Sequence, residues 1–164
     1  MCALLDNASV KCWGYGQTGQ LGQGNTNKIG DGANEMGDNL TSIDLGTGRT
    51  ATAISAGNQH TCALLDNASV KCWGSGSSGM LGLGDTNNRG DSANEMGDNL
   101  TIVDLGTGRT AIAISASRHH SCALLDNAAV KCWGSGGARL GQGNTDTLGD
   151  NANEMGDNLP AIDL

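Results

Sequence analysis

Apolar positions in this chain fall in short runs, separated by stretches rich in glycine, asparagine and aspartate. Residues 50–56 (TATAISA) alternate small and β-branched side chains, with Ile54 on the apolar side, and AIAIS at 111–115 repeats the pattern. Alternation with a period of two predicts β-strands. A turn at Gly57-Asn58-Gln59-His60 leads into Thr61-Cys62-Ala63-Leu64-Leu65, and Asp66-Asn67-Ala68 turns the chain back into Ser69-Val70-Lys71-Cys72-Trp73. A fourth strand is expected at 101–105, where TIVDL is again apolar and β-branched. No segment carries apolar residues at helical spacing over two turns, so no helix is predicted. The 27 residues of 74–100 are too many for an ordinary connection, which predicts an ordered outer loop or a short strand hidden within it.

These elements recur. CALLDNASVKCWG at 2–14 returns unchanged at 62–74 and with one substitution at 122–134, a period of sixty residues. NEMGDNL closes each unit at 34–40, 94–100 and 153–159, and DLGTGRTA links units at 44–51 and 104–111. A fixed period of this size indicates stacked supersecondary modules that share a core. Four antiparallel strands per module predict a β-propeller blade, whose two faces are covered by its neighbours. The fold class expected is all-β: one partial propeller domain over 1–164, in units 1–60, 61–120 and a truncated 121–164. Counting strands gives eleven in about three blades. Propellers close with roughly four to eight blades, and Met1 stands where later units have Thr61 and Ser121. The chain thus reads as part of a longer propeller, or as a unit that self-associates through open blade edges.

Composition narrows the partners. The chain has 27 glycines, no phenylalanine, three tryptophans and a formal net charge of −8. Its five arginines and four lysines are scattered singly, which argues against nucleic acid. No apolar run is long enough to cross a membrane. Cys2/Cys12, Cys62/Cys72 and Cys122/Cys132 share a spacing of ten, and the three-residue turn would set each pair directly across a hairpin. Such opposed positions suit disulfides with a small adjustment, and paired cysteines favour an extracellular or otherwise oxidising compartment, although no signal segment precedes Cys2. The alternative is small buried thiols.

The residues of 2–14, followed by G-x-x-G-Q-L-G-x-G at Gly16 to Gly24, and A-I-S-A-G-x-x-H-T at 53–61, closely resemble the repeat of the regulator of chromosome condensation family. The resemblance covers essentially the whole chain and implies a propeller that usually has seven blades. Members include exchange factors for small GTPases, chromatin binders and protein-binding domains, so fold alone does not fix function. The chain departs from the pattern at Ala8, Ala68 and Ala128, where the family often has glycine. It departs again at Ser117 in place of Gly57, and at Ala138-Arg139-Leu140.

No catalytic constellation is legible. His60, His119 and His120 are the only histidines, and no nucleophile or carboxylate repeats beside them. No Cys-x-x-Cys or Cys-His cluster supports zinc. The acids of DGANEMGD-type loops fail calcium spacing, since Arg89 and Met96 occupy ligand places. No cofactor is expected. Trp13, Trp73 and Trp133 share a face with Lys11, Lys71 and Lys131; a blade-packing role is expected, with cation–π contact or a sugar-stacking row as alternatives.

Function is therefore sought where the copies differ: 58–59 against 118–119, and 15–29, 75–89 and 135–148. In a four-stranded meander these connections emerge on one rim, with the near-invariant turns DNAS and GTGRT on the other. Loops on a rigid scaffold commonly carry binding. The expected function is a non-catalytic protein-binding scaffold. Its contact candidates are Tyr15, Gln17, Asn58, Gln59, His60, Ser77, Met80, Arg89, Arg118, His119 and Arg139. Exchange-factor activity, glycan binding and a self-assembling repeat are the alternatives.

Overall fold

In a computed structural model that describes residues 1–164, the chain forms eight strands and no α-helix. They are β1 (Cys2–Leu4), β2 (Val10–Cys12), β3 (Ala51–Ala56), β4 (His60–Leu65), β5 (Val70–Gly74), β6 (Ala111–Ala116), β7 (His120–Leu125) and β8 (Val130–Gly134). These build three antiparallel sheets in the orders β1-β2, β3-β4-β5 and β6-β7-β8. No helix is long and apolar enough to cross a membrane.

The hairpin forms in the expected register. Leu64 faces Val70, and Cys62 faces Cys72, with the same pairing in β1-β2 and β7-β8. The loop is the three residues Asp66-Asn67-Ala68, closed by Leu65 N–H to Ser69 O at 2.9 Å and Ala68 N–H to Leu65 O at 2.9 Å. Its last residue must turn left-handed. Ala8, Ala68 and Ala128 therefore sit at φ of 62°, 62° and 65°, where a Cβ costs about 1–2 kcal/mol. This is the physical meaning of the departure from glycine seen in the sequence.

Strand number differs from expectation in one respect. Segments 41–45, 101–105 and 160–164 run extended but form no ladder. Each is held to the preceding hairpin by one backbone bond near its centre: Ile43 N–H to Val10 O, Val103 N–H to Val70 O and Ile162 N–H to Val130 O, at 2.7–2.8 Å. The fourth strand of each blade is thus reduced to a single tether. The long 74–100 stretch is an ordered loop, pinned by an antiparallel bridge between Gly74 and Arg89.

The core lies between units, not within them. Taking each structural unit as one sheet with the loop and tether that follow it (1–45, 51–105 and 111–164), one cluster joins Val10, Cys12, Leu21, Ile43 and Leu45 of the first unit to Ala51, Ala63, Leu65, Trp73 and Leu100 of the second. A second joins Cys62, Leu64, Val70, Leu81 and Val103 to Ala111, Ala123, Leu125, Trp133 and Leu159. A sheet covered on both faces needs no polar alternation. Every residue of β4 is accordingly buried, whereas β7, covered on one face, alternates buried and half-buried. Stacking is face to face, so what this chain leaves open at each end is a blade face. β1 also lacks the inner-strand partner that β4 has in β3 and β7 has in β6, so the first sheet ends there.

Candidate functional site

The structure divides the connections by side as well as by variability. The β3–β4 turn meets the loop after β5, with Ser75 N–H bonded to Gln59 O at 2.8 Å, and Ser135 N–H meets His119 O in the same way at 2.8 Å. Thr18 of the preceding unit donates its hydroxyl to Gln59 O at 3.1 Å. Variable turns and variable loops are therefore knitted together on one rim. The invariant turns meet the invariant linkers on the other: Asp66 N–H bonds Thr50 O, and Arg49 pairs with Asp66 at 3.4 Å, as Arg109 does with Asp126 at 3.3 Å.

Most sequence-selected residues are accessible on the variable rim. Gln17, Asn58, Gln59, Ser77, Arg118 and Arg139 are exposed, His119 is half-buried, and Tyr15 is 70% exposed. Hollows of about 200 and 270 Å³ flank Tyr15, the first floored by Trp13, Lys28 and Ile29, the second by Gln20, Asn58 and Thr61. The Lys28 ammonium sits 5.9 Å from the Tyr15 ring centroid. Arg89 is half-buried and tied to Asp85 at 2.7 Å, which shapes its own loop.

Two of the selected residues do not fit a contact role. His60 and Met80 are 1% and 2% exposed. Both belong to the joint between the second and third units. Ser121 Oγ donates to Met80 O at 2.9 Å and so receives Nε2–H of His60 at 2.8 Å, which assigns the tautomer. Burial, with His120 and His119 nearby, pushes the His60 pKa down to about 4. A neutral, interface-sealing imidazole is the result. Position 80 varies between copies because the joint uses its carbonyl, which also accepts Trp133 Nε1–H at 3.1 Å.

The lysine–tryptophan and acidic motifs also have structural roles. Trp73 and Trp133 are fully buried in the joints, so no surface row of tryptophans exists for sugars. Lys71 does not stack on Trp73. Its ammonium donates to Leu45 O at 3.0 Å and Gly97 O at 2.7 Å across the joint, and Lys131 does the same with Leu105 O and Gly156 O. Glu95 Oε2 gathers the N–H groups of Gly90, Asp91 and Ser92 at 2.9–3.2 Å, and Glu154 does so for Gly149, Asp150 and Asn151. Asp98 accepts the N–H and hydroxyl of Thr47 from the preceding linker, as Asp157 does from Thr107, and these bonds hold both carboxyls below the usual range. NEMGDNL is thus the staple between blades. Its signal in the sequence was invariance across three copies.

The cysteine pairs are at bonding distance as disulfides, Cys2–Cys12, Cys62–Cys72 and Cys122–Cys132, each with Cα atoms 4.1 Å apart. The pair Met1–Trp13 exchanges both backbone bonds, at 2.8 and 2.9 Å, so the adjacent cysteines occupy the close, non-hydrogen-bonded position.

Comparison with known proteins agrees with this construction. The zebrafish (Danio rerio) E3 ubiquitin-protein ligase MYCBP2 is 38% identical over 79 residues, 48% of this chain and 2% of that protein. Human E3 ubiquitin-protein ligase HERC2 is 28% identical over 142 residues, 86% of this chain and 3% of that protein. Among solved structures, human WBSCR16 superposes with a TM-score of 0.65 at 18% identity, covering 99% of this chain and 36% of that one. Yeast RCC1 (Prp20), in its complex with Kap60, superposes with a TM-score of 0.58 at 19% identity, covering 99% and 35%. The chain spans about a third of each solved structure and a few per cent of each curated relative. The sequence profile of the regulator of chromosome condensation (RCC1) repeat matches residues 51–79 and 111–142. Two segments of the chain, 51–79 and 111–142, are thus repeats of the regulator of chromosome condensation family.

Proposed function

We propose that the chain is a non-catalytic, protein-binding segment of a β-propeller, and that its partner contacts the variable rim. The observation that carries this reading is the segregation just described. Turns and loops that differ between copies are bonded to one another on one side, and those that do not differ are bonded to one another on the opposite side. The structurally similar yeast RCC1 (Prp20) is seen bound to Kap60, and Prp20p is described with binding to Gsp1p and histones, all of them proteins. The accessible contact set is Tyr15, Gln17, Asn58, Gln59, Ser77, Arg118, His119 and Arg139, with Arg89 as a loop brace.

The test is a loop exchange. Replacing 75–89 by the sequence of 15–29 keeps a loop that already folds in this frame. It is expected to lower affinity for a partner retained by the wild-type chain by tenfold or more, since a few central contacts carry most binding energy. Unchanged affinity, measured by surface plasmon resonance, would refute the rim as the contact surface.

A further inference from the structure

The third unit departs from the second at one corner, where Asn58, Gln59 and Met80 give way to Arg118, His119 and Arg139. The chain has nine basic side chains. Lys28, Arg49, Arg89 and Arg109 are paired with Asp31, Asp66, Asp85 and Asp126. Lys11, Lys71 and Lys131 donate to backbone carbonyls. Arg118 and Arg139 remain, exposed and without a carboxylate, and Arg139 reaches only Gly136 O of its own loop at 3.1 Å. Both lie at the same corner as His119 and His120, because His119 O accepts Ser135 N–H at 2.8 Å just before the Arg139 loop. Arg139 and His119 add to burial in lowering the His120 pKa, which places these three side chains within electrostatic reach of one another. The corresponding residues of the second unit are Asn58, Gln59, His60 and Met80, and none carries a charge at neutral pH.

The same corner is not shaped for another unit of the internal kind. In the joint between the second and third units, a Cβ on Gly57 would collide with the Ser117 carbonyl, and one on Gly79 with the Gly149–Asp150 backbone. The third unit places Ser117 where Gly57 stands, and its loop, one residue shorter, has Ala138-Arg139-Leu140 in place of Gly79-Met80-Leu81. Both glycines that an internal joint requires are therefore gone.

We infer that the corner of Arg118, His119, His120 and Arg139 is the part of the rim that takes carboxylate side chains of an acidic partner segment. This rests on the rim reading and specifies the partner's chemistry. Two guanidinium forks free of internal acids match carboxylates in paired hydrogen bonds. A short acidic segment meets them locally, whereas a long phosphate backbone would also meet a body of net charge −8.

Fluorescence anisotropy at low ionic strength, with a labelled peptide of alternating Glu and Gly and its Gln counterpart, tests this on the full chain. The Glu peptide is expected to bind about tenfold tighter or more, from two charge-assisted contacts. Arg118→Gln with Arg139→Gln should erase that preference, while Asp6→Ala, on the invariant rim, should leave it. Equal binding of the two peptides, or a preference that survives the double substitution, overturns the assignment. So does equal competition by duplex DNA, or a double variant that instead dissolves a dimer seen by sedimentation, which would give the corner to a second copy. If both peptides bind alike and Tyr15→Ala abolishes both, the rim reading stands without the acidic preference. If neither binds and loop exchange also leaves the partner bound, the rim reading itself falls.

Discussion

Removing the three disulfides together is expected to leave the chain unfolded, or close to it, at room temperature. Each bridge closes a loop with a sequence separation of ten residues across a hairpin turn. Confining a loop of this size in the unfolded chain is worth roughly 3 kcal/mol on the chain-entropy account. The bridges lie in three different blades, so their effects should nearly add. Their sum, roughly 9 kcal/mol, falls within the 5–15 kcal/mol that is the whole net stability of a typical domain. The composition reinforces this, since a chain with 27 glycines and no phenylalanine loses much backbone entropy and has few large side chains to offset it. The single pair Cys62→Ala with Cys72→Ala should cost about 3 kcal/mol and leave a folded chain. Urea titrations with and without reductant would read both effects. Thiol counting in denaturant should find none before reduction and six after, and six before reduction would remove the basis of the prediction.

The second large effect is expected at Trp73. Its indole is fully buried between the first and second units, where Gly22, Ile43 and Met96 converge on one spot. Trp73→Ala leaves a cavity that neighbouring backbone, fixed by the Lys71 and Asp98 bonds, cannot fill by collapse. Such truncations cost about 3–5 kcal/mol. Trp133→Ala, the same position in the next joint, should cost a similar amount. Trp13→Ala offers the contrast, because that ring lies on an open blade face and is only half-buried, so about 1–2 kcal/mol is expected from its smaller buried area. Equal losses at Trp13 and Trp73 would contradict a core that lies between units.

The contrast between Trp13 and Trp73 also shows which features a single sequence could reveal. Local ones were legible. The hairpin register follows from Asp66-Asn67-Ala68 and the alternation around it, and with the register comes the opposition of Cys62 and Cys72. Repetition supplied the blades and the assignment of Trp73 to packing. What stayed hidden depends on partners far along the chain. Lys71 reaches carbonyls 26 residues away on both sides, and Asp98 holds Thr47 from 51 residues away. Nothing in the local pattern distinguishes these from exposed charges on a loop. His60, identical in its copy His120, reads as the end of a turn, and it is the neighbouring unit that buries it; Met80 is buried for a related reason. Divergence between copies suggests exposure, whereas the joints use only the carbonyl at this position, Gln20 O in one and Met80 O in the next, and tolerate either side chain. The fourth strand of each blade was read from β-branched residues, yet a single backbone bond holds it, so propensity there overstates pairing.

The proposed binding surface is one rim of the propeller segment. Its most direct test is a photo-crosslinking scan with the partner present. A photoreactive residue would be placed singly at Tyr15, Asn58, Ser77 and Arg118 on the variable rim, and at Asp6, Asn67 and Asn127 on the invariant one. Adducts to a single partner protein are expected from the first four positions and not from the last three. Adducts from Asn67 or Asn127, with none from Tyr15 or Arg118, would contradict it.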